Sequence, residues 1–192
     1  SDDKAQQARI AAPQALQQRP GHTIEAMARA LNLEPDQILG AAEGSTIVSV
    51  GIEFPVVEVG DLHALRQSSA NVEQFKRLSL NPVITGANAD ADDAFLVYVY
   101  CRNGSDQVSA RMFDPLHGIP EDPATGSAAG ALAGLLAQRD NINGHMRYQI
   151  TQGVEMGRPS RIVVDVERNN GQISKTSIVG ECVEVISGWL SL

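Results

Sequence analysis

The chain has 192 residues, 43% of them hydrophobic and 20% charged, a balance that fills a domain core and excludes an intrinsically disordered chain. Its formal net charge is −8 and its Lys and Arg residues are scattered, so no basic patch marks a nucleic-acid partner; a single helix terminus would still suffice for a small anion. Cys101 and Cys182 stand far apart, with no zinc-ligand spacing, and no stretch approaches the ~18 apolar residues of a membrane helix, which together predict a reduced, cytoplasmic protein.

Residues 1–22 are polar and Gln-rich, and the chain opens on Ser1-Asp2-Asp3-Lys4 with no initiator Met. This segment is expected as a crossover or the end of a preceding domain, with a short strand at 10–12 and linker elsewhere. Thr23 caps a predicted helix with apolar positions Ile24, Met27, Ala28 and Leu31 at helical spacing, and Pro35 stops its continuation. Segments 46–50 and 55–59 read as strands closed by Gly51 and Gly60. Asp61 and Asn71 cap two further short helices. Strands are then expected at 82–85, 94–100 and 108–113. The 94–100 run is nearly all apolar, so both of its faces are expected to be covered. A Pro- and Gly-containing loop spans 114–126, a helix 127–138, and strands follow at 145–151, 161–167, 172–179 and 181–186. Without repeated βαβ alternation the pattern points to an α+β fold rather than a doubly wound sheet.

The 127–138 helix is unusual. From Ala128 to Ala137 it has no polar side chain, so it must be buried all round. Gly130 and Gly134 each cost about 1 kcal/mol relative to Ala in a helix interior, tolerable where strands must approach the axis closely. The expected arrangement is a β-barrel wrapped around a central apolar helix. The first N–H groups of such a helix have no partners within it and, with the helix dipole, suit a carboxylate or phosphate. Gly126 permits close approach of a ligand, Thr125 and Ser127 add hydroxyls, and Asp122 lies just upstream, where a carboxylate suits proton transfer. The plain alternative is that Asp122 or Thr125 only caps the helix and Gly126 only turns the chain.

The run Glu121-Asp122-Pro123-Ala124-Thr125-Gly126-Ser127-Ala128 resembles the signature of the phenazine biosynthesis F (PhzF-like) family. Arg111-Met112-Phe113-x-Pro115 resembles the strand leading into it, and Gln152-Gly153-x-Glu155-Met156-Gly157-Arg158-Pro159-Ser160 a later strand–turn–strand motif; Gly180 also fits. The resemblance implies a fold like that of diaminopimelate epimerase, with two similar barrel domains and an active site between them. On that basis residues 23–180 form a C-terminal barrel domain, and 181–192 a terminal strand that packs toward the other domain. It implies a cofactor-independent, metal-free isomerase of a small, cyclic, carboxylated metabolite, related to the isomerisation of a dihydro-hydroxyanthranilate. Asp122 is then the acid–base carboxylate, and Thr125, Gly126 and Ser127 bind substrate. Complete members are expected to be homodimers. The family's N-terminal Gly-Asn-Pro and Gly-His-Ala-Thr motifs and its catalytic Glu have no counterpart in this sequence, so the chain is expected to carry half of a site. A non-catalytic anion-binding or scaffold domain, and an inactive truncated half, remain open alternatives.

Other residues are read plainly. Arg111 is expected in a structural ion pair rather than on a substrate, and His117 in a solvated loop. His22, His63 and His145 are read as surface residues and Trp189 as packing. Asp90, Asp92 and Asp93 lack the glycine and glutamate of a calcium loop. The cysteines lie outside the helix-start motif, against a two-thiol racemase. Tyr98 and Tyr100 fit a buried strand with hydroxyls at its edge.

Overall fold

The computed structural model describes residues 6–40, 44–80, 95–182, 186, 188 and 189. The expectations at 82–85 and at Asp90, Asp92 and Asp93 lie outside these residues.

Side-chain caps start the three short helices where the sequence places them. The Thr23 side chain accepts from Ala26 N and opens α1 (Ile24–Leu31), which Asn32 closes in the left-handed conformation. Asp61 accepts from Ala64 N at the start of α2 (Leu62–Gln67), and Asn71 from Gln74 N at the start of α3 (Val72–Ser79). The apolar helix, α4, spans Gly126–Asp140.

In chain order the strands are β1 (Gln6–Ala11), β2 (Gln17–Pro20), β3 (Thr46–Ser49), β4 (Glu53–Glu58), β5 (Val97–Arg102), β6 (Gln107–Asp114), β7 (Ile119–Asp122), β8 (Gly144–Gln152), β9 (Ser160–Asn169) and β10 (Gln172–Cys182). All ten join one sheet, ordered β1-β10-β9-β8-β6-β5-β4-β3-β2, with β7 added beside β6. The result is a mixed α+β fold in which the sheet curls as a half-barrel. The segment before residue 23, expected as mainly linker, instead supplies two strands: β1 pairs with β10 and β2 with β3. Both are edge strands, where a polar, proline-containing sequence is tolerated. The two strands expected at 172–179 and 181–186 are one through Cys182, with Gly180 inside it opposite Ala8.

Two parallel pairs, β4–β5 and β6–β8, interrupt an otherwise antiparallel sheet. Parallel neighbours require a crossover, and α4 lies on the one that joins β6 to β8. The middle of the sheet is covered on both faces, as the apolar 94–100 run requires. Tyr98 and Tyr100 of β5 point into a cluster with Ala128–Ala137 of α4, while Val97, Val99 and Cys101 point into a second cluster beneath α1, α2 and α3. Burial raises the Cys101 thiol to about 11, with the charges of Asp61, Glu155 and Glu58 adding to the effect, so it stays a neutral core group.

Helix α4 is buried continuously from Ala128 to Ala137 and touches β3, β4, β8, β9 and β10. Its glycines have distinct neighbours. A Cβ at Gly130 would lie 3.2 Å from Ile178 Cδ1 of β10, and one at Gly134 would lie 3.1 Å from Leu16 Cδ1. Among the described residues no helix is long and apolar enough to cross a membrane.

Two readings of single residues change. His22, expected on the surface, is buried edge-on against Phe95 with ring centroids 5.5 Å apart, and burial and Arg19 lower its pKa. Trp189, expected to pack, is fully exposed. His63 and His145 are exposed, as expected.

On the face of β9 away from α4, Asp165 is buried beneath its own partners. Arg147 of β8 donates to both its oxygens (2.7 and 3.0 Å), Arg9 of β1 reaches it across β10 at 2.6 Å, and His145 Nε2 lies 3.3 Å away. Hydrogen bonds from Arg147 foremost, then Arg9, hold this carboxyl at about 2 against the opposing effect of burial.

Two tests follow from this packing. Leucine at Gly130 should overpack the α4–β10 contact and cost about 1–3 kcal/mol in urea unfolding. The depressed Asp165 pKa means that its stabilisation is complete above the unfolded carboxylate value near ~4 and is lost as pH falls toward 2. Unfolding midpoints measured across that window should therefore drop less steeply in Asp165→Asn than in the wild type.

Candidate active site at the start of the apolar helix

Parallel pairing of β6 and β8 brings the C-terminal ends of both strands to one edge of the sheet. The chain leaving β6 makes a 3-10 turn at Pro115–His117, returns as β7 beside β6 with Asp122 opposite Met112, and enters α4. The 114–126 segment is thus more ordered than a plain loop. Gln152, the last residue of β8, ends opposite Ala110 and directly beneath this connection. Crevices at the carboxyl ends of parallel strands are where α/β sheets commonly take ligands.

Asp122, Thr125, Gly126 and Ser127 are all partly buried there, while Ala128 is fully buried. Thr125 occupies the N-cap position, yet its side chain does not cap the helix. It donates instead to Asp122 Oδ2 at 2.6 Å. The helical ladder begins with Ala129 N donating to Thr125 O at 3.0 Å, so the N–H groups of Gly126, Ser127 and Ala128 lie ahead of it. A Cβ at Gly126 would meet only Ile178 Cγ2, at an ordinary 3.7 Å, so packing within the chain does not demand glycine there.

Beneath the connection sits the carboxamide of Gln152, a residue only 1% exposed. Its Oε1 lies 3.1 Å from Thr125 N and 3.0 Å from the Tyr98 hydroxyl; its Nε2 lies 2.7 Å from Asp122 O and 3.0 Å from Thr125 Oγ1. Burial, then the Asp122 charge, raises the Tyr98 phenol far above its ordinary value, so it stays protonated. Gln152 and Tyr98 join the four site residues named from sequence. Gln152 lies at the start of the second motif, at the end of β8, and parallel pairing with β6 brings it to the first.

The remaining motif residues hold this arrangement from outside. Arg111 is buried and pairs through Nε and Nη2 with Glu121 (2.9 and 2.7 Å), while Nη1 donates to the carbonyls of Leu65, Arg66 and Ser68 at the end of α2. It is the structural ion pair expected, and it also caps a helix C-terminus. Gly153 has φ +77°, and a Cβ there would collide with Arg158 O and lie 2.8 Å from Pro123 O. His117 Nδ1 lies 2.6 Å from Asp114 Oδ1 in an exposed turn. Among the described residues no cluster of three His, Cys, Asp or Glu side chains has the arrangement of a metal site.

Comparison with known proteins agrees with these motifs. The chain matches the family of phenazine biosynthesis-like proteins, PhzC-PhzF, over residues 3–188. It belongs to this family. An uncharacterized isomerase of Mesorhizobium japonicum is 33% identical over 171 residues, which cover 86% of this chain and 54% of that protein. A trans-2,3-dihydro-3-hydroxyanthranilate isomerase of Pseudomonas chlororaphis is 41% identical over 83 residues, 43% of this chain and 30% of that protein. The crystal structure of a Bacillus anthracis PhzF-family protein superposes with a TM-score of 0.74 at 18% identity, covering 97% of this chain and 63% of that one. A predicted epimerase of Pseudomonas aeruginosa gives 0.64 at 21% identity, over 97% and 59%. The fold is therefore of the PhzF and epimerase type. The chain spans about half the length of the curated relatives that it matches along most of its length.

The tight turn that this PhzF-family chain places under Pro123 can be probed directly. Gly157, also at positive φ (+69°), has nothing within 4 Å of a Cβ, so Gly157→Ala should cost about 1–2 kcal/mol from backbone conformation alone. Gly153→Ala adds the collisions with Arg158 and Pro123 and should lower the thermal midpoint clearly further.

Proposed function

We propose that this chain carries part of the active site of a cofactor-independent isomerase that moves a proton on a small, cyclic, carboxylated metabolite. Asp122 is the acid–base group. The N–H groups at the start of α4, with Ser127, bind the substrate carboxylate, and Gly126 leaves the backbone open to it. The observation that carries this reading is the Thr125 side chain. It is turned from capping α4 to donating to Asp122, so the helix start stays uncapped beside an oriented carboxylate.

The names of the relatives support the reaction class, and the dihydro-hydroxyanthranilate isomerases among them supply a first substrate to try. The curl of the sheet is read as part of a barrel with α4 along its axis. The stretch of the relatives that this chain does not match is where the resemblance puts the second acid–base group, in a domain facing this one. A homodimer remains the expected assembly.

The test is solvent-deuterium incorporation, followed by mass spectrometry, for the full-length protein with trans-2,3-dihydro-3-hydroxyanthranilate and related cyclic acids. Asp122→Asn should slow exchange by about 10²–10⁴-fold, the range set by losing one general acid–base group, with the fold intact. Undiminished exchange in that variant would remove Asp122 from the mechanism. Carboxylate binding without any exchange in the wild type would favour a binding domain.

A further inference from the structure

The hydrogen positions around Asp122 follow from two backbone groups. Thr125 N–H can only donate, so the Gln152 atom facing it at 3.1 Å must be the acceptor, Oε1. The Asp122 carbonyl can only accept, so the atom facing it at 2.7 Å must be the amide nitrogen. The orientation of the Gln152 carboxamide is thereby fixed twice, independently. The second hydrogen on Nε2 points at Thr125 Oγ1, 3.0 Å away, and makes that oxygen an acceptor. The hydroxyl's own hydrogen is left for Asp122 Oδ2 at 2.6 Å. Tyr98 completes the set by donating to Oε1, so both donors and both lone pairs of this buried amide are used.

We infer that Gln152 is a positioning residue that fixes the direction of the Thr125 hydroxyl and so reserves Oδ1 of Asp122 as the oxygen that exchanges a proton with substrate. Oδ2 is occupied as an acceptor whether or not Asp122 carries a proton. A carbonyl-type oxygen accepts better than a carboxyl's hydroxyl oxygen, so the Thr125 donor on Oδ2 favours the acid proton on Oδ1. Removing the Nε2 donor lets the Thr125 hydroxyl rotate, and either carboxyl oxygen can then hold the proton. Its catalytic consequence rests on the proposed isomerase reading; the hydrogen placement does not.

Neutron diffraction from crystals of the full-length wild-type protein, exchanged into D2O at pH 5 and pH 8, tests the placement without any substrate. Density should show a deuteron on Thr125 Oγ1 directed at Asp122 Oδ2 at both pH values. A deuteron bonded to Oδ2 at either pH overturns the inference. Kinetics on Gln152→Glu test the consequence. The introduced carboxylate cannot donate to Thr125 Oγ1, whereas its protonated form can. The kcat of the variant relative to wild type should be at least tenfold down at pH 8 and recover at least threefold toward pH 5.5, with KM changed less than threefold. A ratio that stays flat across pH, or a loss expressed in KM alone, overturns the positioning role. If the wild type exchanges no proton on any acid tried, the isomerase reading fails and the deuteron positions still decide the inference.

Discussion

Helix α4 sets the terms for this fold because it has no side on which it can meet water. Ten consecutive residues, from Ala128 to Ala137, carry no polar side chain and are all buried. A flat sheet could cover only one flank of such a helix, so the sheet must curl and bring strands from both its halves onto α4. Gly130 and Gly134 make the approach short enough for Ile178 and Leu16 to reach the backbone. The weak intrinsic helicity of glycine is offset by that close packing. With the sides of the helix sealed, its polar backbone groups are left at the ends, and its start emerges beside the C-terminal end of β8, where β7 takes over the pairing with β6.

The connection that delivers the chain to that point is fastened at several places. Arg111 ties Glu121 to the end of α2, Gly153 admits the backbone of Pro123, and Gln152 holds the backbone of Asp122 and Thr125 together. Each contact involves a motif residue. Most of the signature keeps the rest in register. Preorganised groups act at a reacting centre without reorganising during the reaction, and a loop fixed by buried, fully paired hydrogen bonds meets that requirement.

Much of this was legible in the sequence, for identifiable reasons. Thr23, Asp61 and Asn71 are side-chain caps, and local hydrogen bonds of that kind act within four residues. The all-apolar α4 announced its own burial. The uniform apolar character of the 94–100 run announced cover on both faces of β5. The losses were long-range. β1 and β2 are polar edge strands whose pairing depends on β10 and β3, far along the chain, and nothing local distinguishes them from linker. The burial of His22 depends on Phe95, and Gly180 reads as a break only until β1 is known to pair across it. At the candidate site, Asp122, Thr125, Gly126 and Ser127 could be named together because they are contiguous with a helix start. Gln152 was passed over as a site residue because it meets them through parallel pairing, which has no local sequence signature.

The charge arrangement near the helix start bears on how Asp122 would work under the proposed function. Arg111, a cation of the motif, belongs to the face of β6 that packs toward α2, and its guanidinium is taken up by Glu121 and three carbonyls. Among the described residues Asp122 makes no ion pair; its side-chain partner is the neutral Thr125 hydroxyl, backed by the neutral Gln152 and a Tyr98 that stays protonated. A guanidinium in that place would stabilise the carboxylate form and resist its protonation. Neutral donors orient the group without pairing its charge. The substrate's own negative charge would then be met by backbone N–H groups rather than by a side-chain cation, so binding and proton transfer need not compete for one positive charge.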